Sequence, residues 1–382
     1  MRDQFLLDPA LAFLNHGSFG ACPREVFEAQ QHWQLEMERN PVEFLGRRSA
    51  KLLFESRRAL GAYLGADADH LIYIPNSTTG VNIVANSFAL SAGDEVLTTD
   101  LEYGACDATW ERVCAQRGAH YRHVEIPLPY ERERVAPRLM AAVTPHTRMI
   151  YLSHITSTTA LILPVADICK AARARGITTL IDGAHAPGQI ELDLAAIGAD
   201  FYVGNCHKWL CAPKGAGFLH ARPEHHDMLD ATVISWGYAA GTGGHTGFEA
   251  YLGRSVFERR LQWQGTRDIA AWLAVPAAIE FQARHDWPAV RARCHELARH
   301  AHDALTHRHA LEPIARDDDW AQMVAIPVPA QDTEALRQRL FDESAIEVPV
   351  TSHAGHVFVR ISIQGYNTMQ DVERLLAAPA LA

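Results

Sequence analysis

Three short runs place reactive residue types where chemistry could be done. The first is Asn205-Cys206-His207-Lys208-Trp209, in which Lys208 follows an apolar and aromatic stretch and stands in a run otherwise free of formal charge. An amine held against apolar walls loses part of its affinity for a proton and becomes a usable nucleophile. Taken alone, the same lysine could equally reach solvent. The second run is Leu180-Ile181-Asp182-Gly183-Ala184-His185. A carboxylate ending a buried strand needs a cationic partner. A pyridinium nitrogen is one such partner, and the charge pair keeps the ring protonated as an electron sink. With Pro187 close behind, Asp182 alone also reads as a helix cap. The third run, Asn76-Ser77-Thr78-Thr79-Gly80-Val81-Asn82, follows a strand and opens a helix. Hydroxyls and free N–H groups there bind phosphate, although an ordinary N-cap has the same look. The spacing is not that of a Walker loop. In this chain order the three runs suit a phosphorylated pyridine aldehyde.

These residues must be held by a scaffold. The β-like runs are 71–74, 95–98, 121–126, 149–153, 178–181, 201–203 and 217–220. Helical spacing lies between them, as in Val81, Val84, Ala85 and Phe88, and in Ile168, Ala171, Ala172 and Arg175. Strand–helix alternation predicts an α/β fold: a mostly parallel sheet with helices on both faces. Ligands bind such sheets beyond the carboxyl ends of the strands. Polar residues follow five strands, at 76–78, 102–103, 154–157, 182–185 and 205–208, and are expected to converge on one crevice. Residues 222–250, rich in Gly, His and Thr, read as a loop. Helices are expected over about 270–284 and 290–304. The tail reads as strand 323–326, helix 333–341, strand 357–363 and helix 369–377, a small α+β lobe. We therefore expect an N-terminal arm and large domain over 1–268 and a small domain over 269–382.

Bulk properties exclude other classes. The 382-residue chain carries a formal charge of −10 and only isolated Arg pairs such as Arg47-Arg48 and Arg259-Arg260, which argues against nucleic-acid binding. Seven cysteines at irregular spacing, and an N-terminal region with Asp3 and Asp8, read as reduced thiols in a cytoplasmic protein. No apolar run of about 18 residues predicts a membrane span. The 21 histidines, including His225-His226, His302, His307 and His309, match no zinc spacing, and no metal is expected. Cys206, Cys211, Trp209, Trp263 and Trp272 read as packing.

The chain resembles the class V aminotransferase family of fold-type I pyridoxal-phosphate enzymes, and within it the isopenicillin N epimerase-like branch. The likeness is carried by Phe13-Leu14-Asn15-His16-Gly17-Ser18-Phe19-Gly20, the run from Asp182 to Leu219, Trp263-Gln264-Gly265-Thr266-Arg267-Asp268, and Arg360 to Thr368. It spans nearly the whole chain. The resemblance implies pyridoxal 5'-phosphate as cofactor, with Lys208 as the amine that bonds it and moves the substrate Cα proton. It places Asp182 on the pyridine nitrogen, Tyr103 stacked on the ring, and His185 near the phenolic oxygen. It gives the phosphate to Ser77, Thr78, Asn205 and His207. Ser157 stands where the family frequently has an Asn. Thr266 would reach the phosphate of a neighbouring subunit, implying a homodimer. Arg360 would clamp the substrate carboxylate, with Asn15 and Ser18 nearby. Relatives that desulfurate through a persulfide carry a Cys before that Arg; here Val350-Thr351-Ser352-His353-Ala354-Gly355-His356 has none.

The expected substrate is an amino acid, and the expected reaction is epimerisation or racemisation after Cα deprotonation. A carbon–sulfur lyase or an aminotransferase is the alternative, and a catalytically silent cofactor-binding protein a third reading. Epimerisation needs a second acid–base group or a mobile Lys208. His16, Tyr238, His245 and His353 are candidates for that group, and Arg267 for a second substrate carboxylate.

Overall fold

The computed structural model describes residues 1–241, 248 and 253–382. Its centre is a seven-stranded sheet whose strands lie, from one edge to the other, in the order 71–74, 217–221, 201–205, 178–183, 147–153, 95–99 and 120–124. The strands are β2 (Leu71–Ile74), β3 (Glu95–Thr99), β4 (His120–Val124), β5 (Thr147–Ser153), β6 (Thr178–Gly183), β7 (Phe201–Asn205) and β8 (Gly217–Ala221). The pairs β4–β3, β3–β5, β5–β6 and β6–β7 are parallel, and β8 runs antiparallel to both β7 and β2. Strands β2, β7 and β8 are buried along their whole length. That burial on both faces is why they read as continuous apolar runs rather than alternating ones. The helices between strands bury stripes such as Val81, Val84 and Ala85 in Ser77–Ser87, and Ile168 and Ala172 in Val165–Arg173.

A second, antiparallel sheet holds β9 (Met323–Val328), β11 (Val350–His353) and β12 (His356–Ser362) in the order β11-β12-β9. Strand β1 (Ala12–Phe13) pairs in parallel with β10 (Ile346–Glu347), and Ser362 N–H donates to the Leu14 carbonyl. The N-terminal arm is thus stitched to the C-terminal residues, and Asn15 to Gly20 begin where that pairing ends.

Several sequence-based boundaries shift for identifiable reasons. Strand β4 ends at Val124, because Ile126 N–H turns to donate to Asp100 Oδ1 and Pro127 follows. The 270–284 helix is two helices, Ala270–Leu273 and Val275–Arg284, with Pro276, which has no N–H, in the first turn of the second. The next helix starts earlier and runs longer than expected, Trp287–His309, again with Pro in its first turn. Residues 222–250 are not wholly loop: Pro223–Met228 is a 3₁₀ turn and Trp236–Gly241 a helix. His245, a candidate acid–base residue, lies outside the described residues.

Candidate active site

Fifteen residues line a cavity of about 230 Å³ at the carboxyl ends of the central strands. They come from all five polar strand ends: Asn76, Ser77 and Thr78; Tyr103; Ser153, Ile155 and Ser157; Asp182, Ala184 and His185; Asn205, His207 and Lys208; with Ser18 and Phe19 from the N-terminal arm. The arm reaches the lysine because position 20 is glycine. Gly20 has φ +73°, and a Cβ there would lie 2.1 Å from the His207 carbonyl oxygen. Only glycine permits that approach.

Asp182 and Lys208 sit on neighbouring strands, or one turn beyond them, and face each other across the floor. Asp182 is buried; Oδ1 accepts from Ala184 N–H at 2.9 Å and Oδ2 lies 3.7 Å from Cys106 Sγ. No salt bridge to Asp182 occurs among the described residues, and burial raises its pKa above the usual carboxylate value. Lys208 Nζ lies 3.2 Å from His185 Nε2. Burial, aided by the positive charge of Arg360, lowers the Lys208 pKa to about 8. A substantial fraction of this amine is therefore neutral near physiological pH, where an ordinary lysine is almost wholly protonated. Burial, with Lys208 and Arg360 nearby, pushes the His185 pKa well below its usual value, so the imidazole is neutral.

The residues expected to hold the phosphate gather at the start of helix Ser77–Ser87. Asn76 caps it, accepting from Thr79 N–H at 2.9 Å, and Asn205 Oδ1 accepts from Ser77 N–H at 2.8 Å. The Ser77 hydroxyl is buried and has no hydrogen-bond partner among the described residues. His207 engages the Ala216 carbonyl through Nδ1 at 2.9 Å, and burial lowers its pKa to about 4. The positive end of the helix dipole adds to this anion-directed set. An unsatisfied hydroxyl at a helix start, an unpaired buried carboxylate and a partly neutral lysine fit pyridoxal phosphate on three separate atoms.

Arg360 does not itself line the cavity but stands one step behind it. Its guanidinium donates from Nη1 to the Ser157 carbonyl and hydroxyl and from Nη2 to Ser18 Oγ, while Nε is buried without a hydrogen-bond partner among the described residues. Ser18 in turn donates to Asn15 Oδ1 at 2.6 Å. Among the described residues no carboxylate pairs with this buried cation, and burial lowers its pKa to about 10. A guanidinium held by neutral acceptors alone is a ready carboxylate receptor.

Other residues singled out in the sequence fall elsewhere. Thr266 is exposed and outside the cavity lining. Arg267 lies over the Trp272 ring, 5.3 Å from its centroid. His16 is buried and spends its ring nitrogens on Tyr366 Oη and the Lys208 carbonyl; burial lowers its pKa to about 3. It anchors the lysine's backbone and does not face the cavity. His353 lies 3.6 Å from Asp100 and Tyr238 under Arg260, and neither is part of the lining. Two contacts escaped the sequence reading. Trp209 is packed as expected, but its indole N–H also donates to His185 Nδ1 at 3.2 Å. Cys106 touches Asp182 from helix Gly104–Arg117, a contact across 76 positions that no local spacing announces. Among the described residues no group of three or more His, Cys, Asp or Glu is arranged to hold a metal, and no helix is long and apolar enough to cross a membrane.

A doubly wound sheet with this set of residues at its carboxyl edge defines a fold-type I pyridoxal-phosphate enzyme. Residues 15–375 match the family model for aminotransferase class V, and the chain belongs to that family. It is 40% identical to an isopenicillin N epimerase of Streptomyces clavuligerus over 99% of this chain and 96% of the relative. It is 28% identical to a probable chloroplastic L-cysteine desulfhydrase of Arabidopsis thaliana, over 96% of this chain and 82% of the relative. Among solved structures, the cystine C–S lyase C-DES in complex with its reaction product cysteine persulfide superposes with a TM-score of 0.81. It is 23% identical and covers 97% of this chain and 98% of that one, a likeness that establishes the fold.

Proposed function

We propose that this enzyme epimerises the α-carbon of an amino-acid substrate of the isopenicillin N type. The observation that carries the reading is a partly neutral Lys208 amine in one small cavity with, one step behind its Ser18 and Ser157 lining, the buried Arg360 guanidinium, which pairs with no carboxylate among the described residues. Support for an epimerase over a desulfurase is twofold. The relatives named isopenicillin N epimerase match at 39–40% identity. None of the seven cysteines lines the cavity, so no thiol stands ready to receive sulfur.

When bound, the cofactor supplies an electron sink for the carbanion left by Cα deprotonation. In our reading Arg360 fixes the substrate carboxylate bidentately, with Ser18 and Ser157 setting the plane of its fork. Lys208 would hold the cofactor and take the Cα proton from one face, and inversion is completed when a proton reaches the opposite face from a mobile Lys208 or from a second acid–base group. Asp182 supplies the negative charge opposite the pyridine nitrogen, Tyr103 covers the ring, and Ser77, Thr78, Asn205 and His207 surround the phosphate. We assign the exposed Thr266 to the phosphate of a neighbouring subunit, which makes the active unit a homodimer. We also place the boundary between a large and a small domain at 268/269.

A carbon–sulfur lyase is the second reading, favoured by the desulfhydrase relatives at 27–30% identity. The test is incubation of the loaded enzyme with isopenicillin N, L-cysteine, L-cystine and a panel of L- and D-amino acids, followed by chiral and thiol analysis. Inversion at Cα with no sulfide or keto acid released supports the epimerase. Release of sulfide or persulfide together with pyruvate replaces it with the lyase.

A further inference from the structure

We infer that Trp209 is a positioning residue that locks His185 in one tautomer, with its proton on Nε2, so that His185 meets the cavity as a donor and never as a base. An indole N–H can only donate. Its partner His185 Nδ1, 3.2 Å away, must therefore present a lone pair. A neutral imidazole has a single ring proton, which is then left on Nε2, the nitrogen that faces Lys208 Nζ at 3.2 Å. Burial and the neighbouring cations keep the ring neutral, so no second proton relaxes the assignment.

The indole is not free to turn away. Trp209 is fully buried, its carbonyl accepts from Gln282 Nε2 at 2.9 Å, and Gln282 is itself held by Tyr63 Oη at 2.8 Å. The His16 ring lies 5.1 Å from the indole. On the backbone side Gly188, at φ +91°, packs so closely that a Cβ would lie 2.3 Å from the Trp209 carbonyl oxygen. Two consequences follow. A donor aimed at Nζ can be satisfied only by the neutral amine, so the lock favours the reactive form of Lys208. And His185, with no lone pair toward the cavity, is removed from the groups that could serve the second face of an epimerisation. The second consequence rests on the proposed role of Lys208; the tautomer itself does not.

The test uses apoenzyme carrying ¹⁵N-histidine, with the His185 signals assigned through His185→Gln. We expect a protonated Nε2 and a bare Nδ1, unchanged between about pH 5.5 and 9. Trp209→Phe keeps an aromatic ring and removes the donor. In it, we expect a tautomer mixture and an upward move in the pH midpoint of Lys208 reactivity, cutting amine labelling at pH 7.5 by roughly threefold for a half-unit shift. A merely structural tryptophan moves neither readout. A protonated Nδ1 in the wild type, titration of His185 within that range, or an unchanged Trp209→Phe spectrum overturns the inference. If Trp209→Phe does not fold, the wild-type spectrum decides alone. Lys208→Ala apoenzyme separates the two readings: it keeps the Nε2–H tautomer if the lock is right, whatever Lys208 proves to do.

Discussion

The floor and the rim of the cavity are built on different plans. The floor residues Asp182, His185 and Lys208 come from the ends of adjacent strands β6 and β7, whose register pairs Asp182 with Val203 and Gly183 with Gly204. Sheet hydrogen bonds fix their spacing, and Trp209 and Ala184 tie down the side chains. The rim, with the arginine one step behind it, is drawn from three remote places: Ser18 on the N-terminal arm, Ser157 after β5, and Arg360 on β12 of the second sheet. Its partners lie 203 and 342 positions apart in sequence. A floor fixed by register suits a cofactor that is always the same molecule. A rim assembled from separate segments can be reshaped for a different substrate without disturbing that floor.

If this division is right, the largest losses come from the floor. Lys208→Ala is expected to abolish the visible absorption of the bound cofactor and to cut turnover by about 10⁴-fold or more, as loss of an acid–base group that also holds the cofactor. Its melting temperature at pH 7 should hold or rise, since a partly buried ammonium is gone. A yellow, active variant would remove Lys208 from the site. Asp182→Asn comes next, with turnover down by roughly 10²- to 10⁴-fold. The apoenzyme should gain stability at pH 8, because the variant no longer buries a carboxylate that has no salt-bridge partner among the described residues. The sign follows from the raised pKa. The folded apoenzyme binds the proton more tightly than the unfolded chain, so this group's stabilising contribution is lost as pH rises through the folded pKa. Urea titrations of apo wild type and Asp182→Asn at pH 5 and pH 8 measure it. An Asp182→Asn apoenzyme less stable at both pH values would show that the carboxylate is held for structure.

The floor was far more legible in the sequence than the rim. Asp182, His185, Asn205 and Lys208 stand within one continuous run, and strand-end polarity alone pointed them to the same crevice. Arg360 entered only through resemblance, since nothing in Val357–Ile363 says that its guanidinium will meet Ser157 and Ser18 across the fold. The same limit hid Cys106 against Asp182 and Trp209 against His185: one is a distant contact, the other an indole N–H whose partner no pattern names. His16 went the other way. A histidine beside a Gly-Ser-Phe-Gly turn looks reactive in sequence, yet its nitrogens are spent on Tyr366 and the Lys208 carbonyl. Apolar periodicity shows which face is buried, and it is silent about where a buried polar atom finds its partner.

The rim offers the sharper test of the comparison. Arg360→Ala is expected to keep the cofactor spectrum while kcat/KM for α-carboxylated substrates falls by roughly 30- to 10³-fold, the effect of about 2–4 kcal/mol for a buried charge pair. Arg360→Lys should recover little, because an ammonium cannot reproduce the planar fork. Loss of the spectrum in Arg360→Ala would mean that rim and floor are one unit. A smaller, graded effect lies in pH. With Lys208 at about pKa 8, the rate at which apoenzyme captures pyridoxal phosphate should rise about tenfold per unit below pH 8 and flatten above it. The unfolded chain keeps that proton to about pH 10.4, so this group's contribution to apoenzyme stability rises between the two values. Stopped-flow absorbance across pH 6 to 10 reads the capture rate; a profile still climbing past pH 9.5 would show an ordinary lysine.

The smallest effect belongs to Tyr103, which is assigned to neither region. It ends the loop before helix Gly104–Arg117, lines the cavity and leaves 47% of its surface exposed. In its proposed role a half-exposed ring adds stacking but neither charge nor covalent bond, so Tyr103→Ala should weaken cofactor retention by about 0.5–1.5 kcal/mol, roughly 2- to 10-fold in dissociation constant. Tyr103→Phe should restore nearly all of it, because in the proposed role the ring face rather than the hydroxyl meets the cofactor. Equilibrium dialysis of cofactor from each variant, set beside the rate of Cα inversion, separates two roles. Retention lost with the ring and inversion unchanged in Tyr103→Phe puts Tyr103 with the floor. Retention unchanged and inversion lost in Tyr103→Phe would instead make its hydroxyl the proton carrier for the second face, and move it into the chemistry of the rim.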